Sequence, residues 1–166
     1  NQSLRESIFL TNKTMIRWAK GGYPRIENVR NSTNGDHAGG AVEDLKRTLS
    51  QIFGNDDGTY PEGSYVNMML IHNITNPEEV DVVYKGLETP LDVNDNFGAL
   101  VALRDYRDGT NITGLNPKNE KLIRHIGFSG HYSAPVMIDM IQRDKWDILD
   151  GMLVAININD RRYLNM

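Results

Sequence analysis

Three side chains stand where chemistry could be done. Lys13, His72 and Ser129 each close a short apolar run: Ser7-Ile8-Phe9-Leu10-Thr11-Asn12-Lys13, Tyr65 to His72, and Leu122 to Ser129. A fourth run, from about Ile148, ends at Asn157. In parallel α/β folds, functional groups collect at the C-terminal ends of the strands. An ammonium at the end of a buried strand costs free energy unless its charge is used or paired. An imidazole in that position can orient a carbonyl or shuttle a proton. A lysine amine can also act as a Schiff-base nucleophile. Taken singly, each residue has a plainer role: a lysine that snorkels to solvent, a structural histidine, a serine in a Ser-Gly turn. The combination is what points to a site.

The elements that must position these residues alternate along the chain. The four apolar runs read as buried strands, because none shows the polar alternation of a half-exposed one. Residues 18–36, rich in Gly, Asn and Arg, read as a long loop. Between the first two runs, Val42, Leu45, Leu49, Ile52 and Phe53 recur at helical spacing and predict a helix over Gly39 to Phe53, ended by the turn residues of 54–58. Asn76-Pro77-Glu78-Glu79 opens a helical turn with Pro77 in a first-turn position; the acidic stretch Pro77 to Asp81 reads as a solvated helix start. Residues 85–97 read as irregular, and Gly98 to Tyr106 as a second helix. A polar insert over Arg107 to Asn119 precedes the third strand. Ser133 is predicted to cap a third helix, with Val136, Met137, Met140 and Ile141 on one face. The order β-α-β-α-β-α-β predicts one domain over residues 1–166: a parallel sheet with helices outside it. Periodicity alone leaves an open doubly wound sheet and half of an eight-stranded barrel equally possible.

Composition narrows the functional classes. A hydrophobic fraction of 39% with 24% charged residues predicts a folded domain rather than a disordered chain. The net charge of −4 gives no reason to expect nucleic acid or an anionic membrane as partner. No apolar run approaches the roughly 18 residues of a spanning helix, and a cytoplasmic location is expected. With no Cys, disulfides and thiolate metal sites are excluded. Five Asn-x-Ser/Thr sequons begin at Asn1, Asn12, Asn31, Asn73 and Asn111. Asn12 and Asn73 fall at buried strand ends where a glycan would not fit, so the set reads as chance. Asp92 to Gly98 fails as a calcium loop, with Phe97 at position six and Leu103 at position twelve. His125 and His131 lack carboxylates at metal-ligand spacing. Trp18 and Trp146 read as packing residues.

Phe9-Leu10-Thr11-Asn12-Lys13-Thr14 resembles the third-strand motif of the aldo-keto reductases. Asn67-Met68-Met69-Leu70-Ile71-His72 is similar to that family's fourth-strand motif, which ends in the catalytic histidine. Ile123-Arg124-His125-Ile126-Gly127-Phe128-Ser129-Gly130-His131 resembles the fifth strand, in the branch with Ser-Gly-His in place of the commoner Ser-Asn. The resemblance runs from about Arg5 to Tyr163 and includes the helix Ala41 to Leu49. It implies a parallel (β/α) barrel of TIM type, of which about four β/α units are present. It implies reduction of a small-molecule aldehyde or ketone by NADPH, or less often NADH.

By the same resemblance, Lys13 takes the role of the lysine that lowers the pKa of a proton-donating tyrosine. His72 takes that of the histidine that orients the carbonyl, and Ser129 would contact the nicotinamide carboxamide. The division is physically coherent. A tyrosine starts at about 10 and needs a nearby cation to act near neutral pH, and a neutral imidazole polarises a carbonyl without adding charge. The family's aspartate and tyrosine precede the third strand and are expected before Asn1. Its last two strands are expected after Met166, and Leu153 stands where the family often has a cofactor-contacting glutamine. None of Tyr23, Tyr60, Tyr65, Tyr84, Tyr106, Tyr132 or Tyr163 matches the tyrosine motif. The chain by itself is therefore expected to be catalytically incomplete, and either the remainder of a barrel or self-association is expected to cover its open edges. Two other readings stand beside the reductase: a non-catalytic interaction module of the same fold that self-associates, and a Schiff-base lyase using Lys13.

Overall fold

The computed structural model describes residues 5–20, 40–54, 58–131 and 133–156. Four strands alternate with helices: β1 (Thr11–Thr14), α1 (Ala41–Phe53), β2 (Val66–Ile71), α2 (Pro77–Tyr84), α3 (Ala99–Asp108), β3 (Ile123–Gly130), α4 (Ala134–Gln142) and β4 (Leu149–Val154). All pairings are parallel, and the strands lie in the order β1-β2-β3-β4. Each crossover therefore steps to the adjacent position in one direction, without the reversal of a doubly wound sheet. Among the described residues, no helix is long and apolar enough to cross a membrane.

The helices form as their patterns require. In α1, Val42, Leu45 and Leu49 are buried while Glu43 faces solvent. Asn76 caps α2 by accepting the Glu79 N–H at 2.9 Å, with Pro77 just inside the helix start. Gly109 ends α3 in a left-handed conformation, φ +73°, which favours glycine. Ser133 holds the cap position of α4, but its side chain makes no capping hydrogen bond. The capping role predicted for Ser133 is thus corrected.

The helices pack against one face of the sheet. On β1, Asn12 Nδ2 donates to Thr48 Oγ1 at 2.7 Å and Thr14 Oγ1 to Asp44 Oδ2 at 2.8 Å, both on α1. Met69 and Ile71 of β2, Ile126 and Phe128 of β3, and buried residues of all four helices share one apolar cluster. The alternate residues point to the opposite face: Lys13 and Leu70 are register partners, as are Leu70 and Gly127, and Gly127 and Gly151.

The first strand departs from expectation. It is four residues long rather than spanning Ser7 to Lys13, and Ile8 and Phe9 are 48% and 61% exposed rather than buried. They precede β1, which among the described residues lies at one end of the sheet. Arg5 holds this approach instead, donating to the Tyr65 carbonyl and Asn67 Oδ1 at 2.8 Å each, with its guanidinium 4.1 Å from the Tyr65 ring centre. The loop predicted over 18–36 lies largely outside the described residues, as does Asn157. Trp146 packs on the apolar cluster beside Tyr84, with ring centres 6.3 Å apart.

Candidate active site at the strand ends

Lys13 and His72 share one face at the C-terminal ends of neighbouring parallel strands. Lys13 pairs with Leu70 in register, and the His72 N–H donates to the Thr14 carbonyl at 2.8 Å, so the ladder runs one step past β2. His72 therefore keeps the parity of Leu70 and turns its ring to the Lys13 side. Lys13 is exposed, not buried, so the expectation that it carries a burial cost is corrected. Among the described residues it is the third residue of a short strand at one end of the sheet, where it is exposed.

His72 is half-buried, and its imidazole is held below the ordinary histidine range. Burial is the main cause, followed by the charges of Lys13, His131 and Arg17. The ring meets His131 edge-on, with centres 6.0 Å apart, and its Nδ1 contacts the Met15 sulfur. A thioether only accepts, so with the proton on Nε2 the approach of Nδ1 to the Met15 sulfur is a packing contact and Nε2 is left to donate to a carbonyl.

Ser129 lies on the same face of β3 but is fully buried. Its hydroxyl oxygen accepts the Asn73 N–H at 3.0 Å and its carbonyl accepts the Ile74 N–H at 2.8 Å. The hydroxyl keeps its own proton to donate, yet it does not lie at a surface where a nicotinamide carboxamide could rest. The residues present therefore fit that cofactor poorly at this position. The orphan acceptor nearby is Asn73 Oδ1, which is buried without a partner.

Three residues that sequence reasoning passed over build the frame of the site. Asn73 adopts φ +56°, a left-handed conformation that asparagine tolerates better than most residues. Arg17, 6% exposed, donates to the Asn73 carbonyl at 2.7 Å, to Glu79 Oε2 at 3.3 Å and to the Met15 carbonyl. Glu79 Oε2 also accepts the Thr75 N–H at 2.7 Å and the Thr75 hydroxyl at 3.0 Å. The acidic start of α2 is thus only partly solvated, because Glu79 turns inward to a buried ion pair whose side chains are 7% and 11% exposed. The Asn76-x-x-Glu79 spacing was the available signal, since an acid at that position turns back over the helix start. Nothing local connects it to Arg17, which is 62 positions away.

Tyr60, Tyr84 and Tyr106 are each held above the ordinary tyrosine range, which unsuits them to proton donation near neutral pH. Burial, then the charge of Glu120, pushes Tyr60 up to about 12, and burial and Glu120 also push Tyr106 up to about 12. Burial raises Tyr84 as well, and its hydroxyl donates to the Met140 carbonyl. Among the described residues, no three His, Asp or Glu side chains converge as a metal site would require. Two surface clefts lie elsewhere: one beside β4, lined by Phe128, Ile141 and Met152, and one between Trp18 and Arg143. Neither includes Lys13 or His72, and both sit over the helix-covered side, so the strand-end chemistry and not cleft size marks the candidate site. Comparison with protein-family models, curated proteins and solved structures returns no match.

Proposed function

We propose that this chain is a segment of a (β/α)-barrel oxidoreductase of aldo-keto reductase type that reduces an aldehyde or ketone with NADPH or NADH. The observation that carries the reading is the placement of Lys13 and His72 on one face of adjacent parallel strand ends. The unreversed strand order supports the barrel, because each β/α unit advances the sheet by one place. His72, held neutral by burial and neighbouring cations, would orient the carbonyl by donating from Nε2. Lys13 would place its positive charge beside an acid supplied from outside this chain, since Tyr60, Tyr84 and Tyr106 are held above the range for that role.

The test is titration of NADPH against the chain, followed by nucleotide fluorescence, with Lys13→Met and His72→Ala in parallel. Saturable binding that weakens about tenfold or more in Lys13→Met supports the reading; no binding by the unsubstituted chain refutes it for this segment. Turnover of a simple aldehyde by the chain alone would refute the proposal that the proton donor lies elsewhere.

The exposed helix-free face favours a second reading, a self-associating module of the same fold. Phe9 and Leu153 on that side are 61% and 48% exposed, and a second copy of the chain could cover them. The lyase reading is separated by borohydride trapping: a reduced carbonyl adduct on Lys13 would establish it in place of the reductase.

A further inference from the structure

We propose that Arg17 and Glu79 are positioning residues for His72, tying Met15, whose sulfur touches the imidazole, to Asn73, the residue that follows His72 in the chain. The inference rests on the reading of His72 as the group that orients the carbonyl. Arg17 leaves β1 three residues past its end and is almost fully buried. One guanidinium nitrogen donates to the Met15 carbonyl, and the other to the Asn73 carbonyl at 2.7 Å and to Glu79 at 3.3 Å. Met15 is the residue whose sulfur touches His72 Nδ1, and Asn73 is the next residue after His72. A single planar cation thus bonds to both segments that bound the ring, a geometry a lysine could not reproduce with one point charge.

Glu79 completes the clamp from α2. Its carboxylate orients the guanidinium and holds the Thr75 N–H and hydroxyl, fixing the backbone two residues beyond Asn73. On the far side, Ser129 of β3 accepts from the Asn73 N–H. The turn that carries His72 is therefore tied to β1, β3 and α2 at once, and only the Arg17–Glu79 pair contributes formal charge to that tie. Among the described residues, the charged or titratable groups facing His72 include Lys13 from β1, Arg17 from the segment after it and His131 from the segment after β3, with Glu79 of α2 paired to Arg17.

A clamp that also sets the electrostatics of the ring predicts opposite effects for its two halves. Arg17→Met removes a cation and leaves a carboxylate, so the His72 titration midpoint should rise by about 0.5 or more. Glu79→Gln leaves the cation uncompensated, so the midpoint should fall. A merely structural role would move both variants the same way, because both break one ion pair.

The experiment is an NMR titration of the histidine imidazoles in the full chain, which has four, with His125 at the other end of β3 as internal reference. Shifts of opposite sign for the two variants support the proposal; shifts of the same sign, or none, overturn it. Should either single variant fail to fold, Arg17→Lys and the double variant R17M/E79Q carry the test. Arg17→Lys should keep the wild-type midpoint but show more than one ring environment for His72, and R17M/E79Q should titrate close to wild type with the ring likewise freed. A single wild-type ring environment in both would overturn the clamp. Since no arm uses nucleotide, failure of the clamp and failure of the reductase reading are read separately.

Discussion

The amide of His72 donates to the carbonyl of Thr14 at 2.8 Å, one step beyond the last residue of β2. That bond carries the strand register into the loop and sets the imidazole on the face that Lys13 occupies. It also brings the ring within reach of three groups able to carry positive charge, Lys13, His131 and Arg17, which with burial hold it in the neutral form. Several measurable consequences follow from this arrangement and from the frame around it.

Stability should depend on pH through His72. Its folded-state pKa lies below the unfolded value of about 6.5. Between the two values the unfolded chain binds the proton and the folded chain does not, so stability is complete above about 6.5 and declines as pH falls through that window. Urea unfolding of wild type and His72→Gln at pH 7.5 and pH 5.5 should show a smaller loss for the variant. Equal losses would mean that the imidazole is not held neutral.

Asp105 should be a strong point of failure. It is fully buried on α3 and accepts from the Thr110 and Thr113 hydroxyls at 2.6 Å each, and from the Ile112 and Thr113 N–H groups at 3.0 and 2.8 Å. Burial alone would raise its pKa, but these four donors outweigh it and hold the carboxyl below its usual range. Asp105→Ala would strand those donors and should cost about 2–4 kcal/mol by chemical denaturation. The contribution is present above about pH 3.9 and is lost as acid protonates the folded state. The same network holds Thr113 in the interior while Asn111 stays exposed.

Gly127 should tolerate no side chain. A Cβ there would lie 2.3 Å from the Gly151 carbonyl oxygen and 2.7 Å from Leu70 Cδ2. Backbone cannot yield as a flexible side chain can, so Gly127→Ala should push β4 away from β3 and destabilise the fold by about 1–3 kcal/mol. Amide hydrogen exchange should localise the loss to β4. Uniform exchange across the sheet would argue against a local clash.

Association should follow the open face. The chain mass is 18.8 kDa, and sedimentation should report a larger species. Phe9→Ser with Leu153→Ser should shift it toward the monomer, because both residues are exposed on or beside the helix-free side. A wild-type monomer at high concentration would remove the interaction-module reading.

The sequence by itself determined the element order and the composition of each strand, because unbroken apolar runs and helical periodicity are local properties. Val66–Ile71, Ile123–Gly130 and the helices at Ala41 and Ala99 stand within two residues of their sequence-derived limits, whereas the helical turn expected at Pro77 runs on as a helix to Tyr84. It also singled out Lys13 and His72, since a basic residue closing an apolar run is conspicuous without coordinates. Tertiary structure decided what those residues meet. The exposure of Phe9 and Lys13 depends on β1 lying, among the described residues, at one end of the sheet, which no window of sequence reports. The withdrawal of Ser129 into the interior depends on Asn73 reaching across from β2. The buried Arg17–Glu79 pair joins segments 62 positions apart, and only folding turns two surface-type charges into one interior contact.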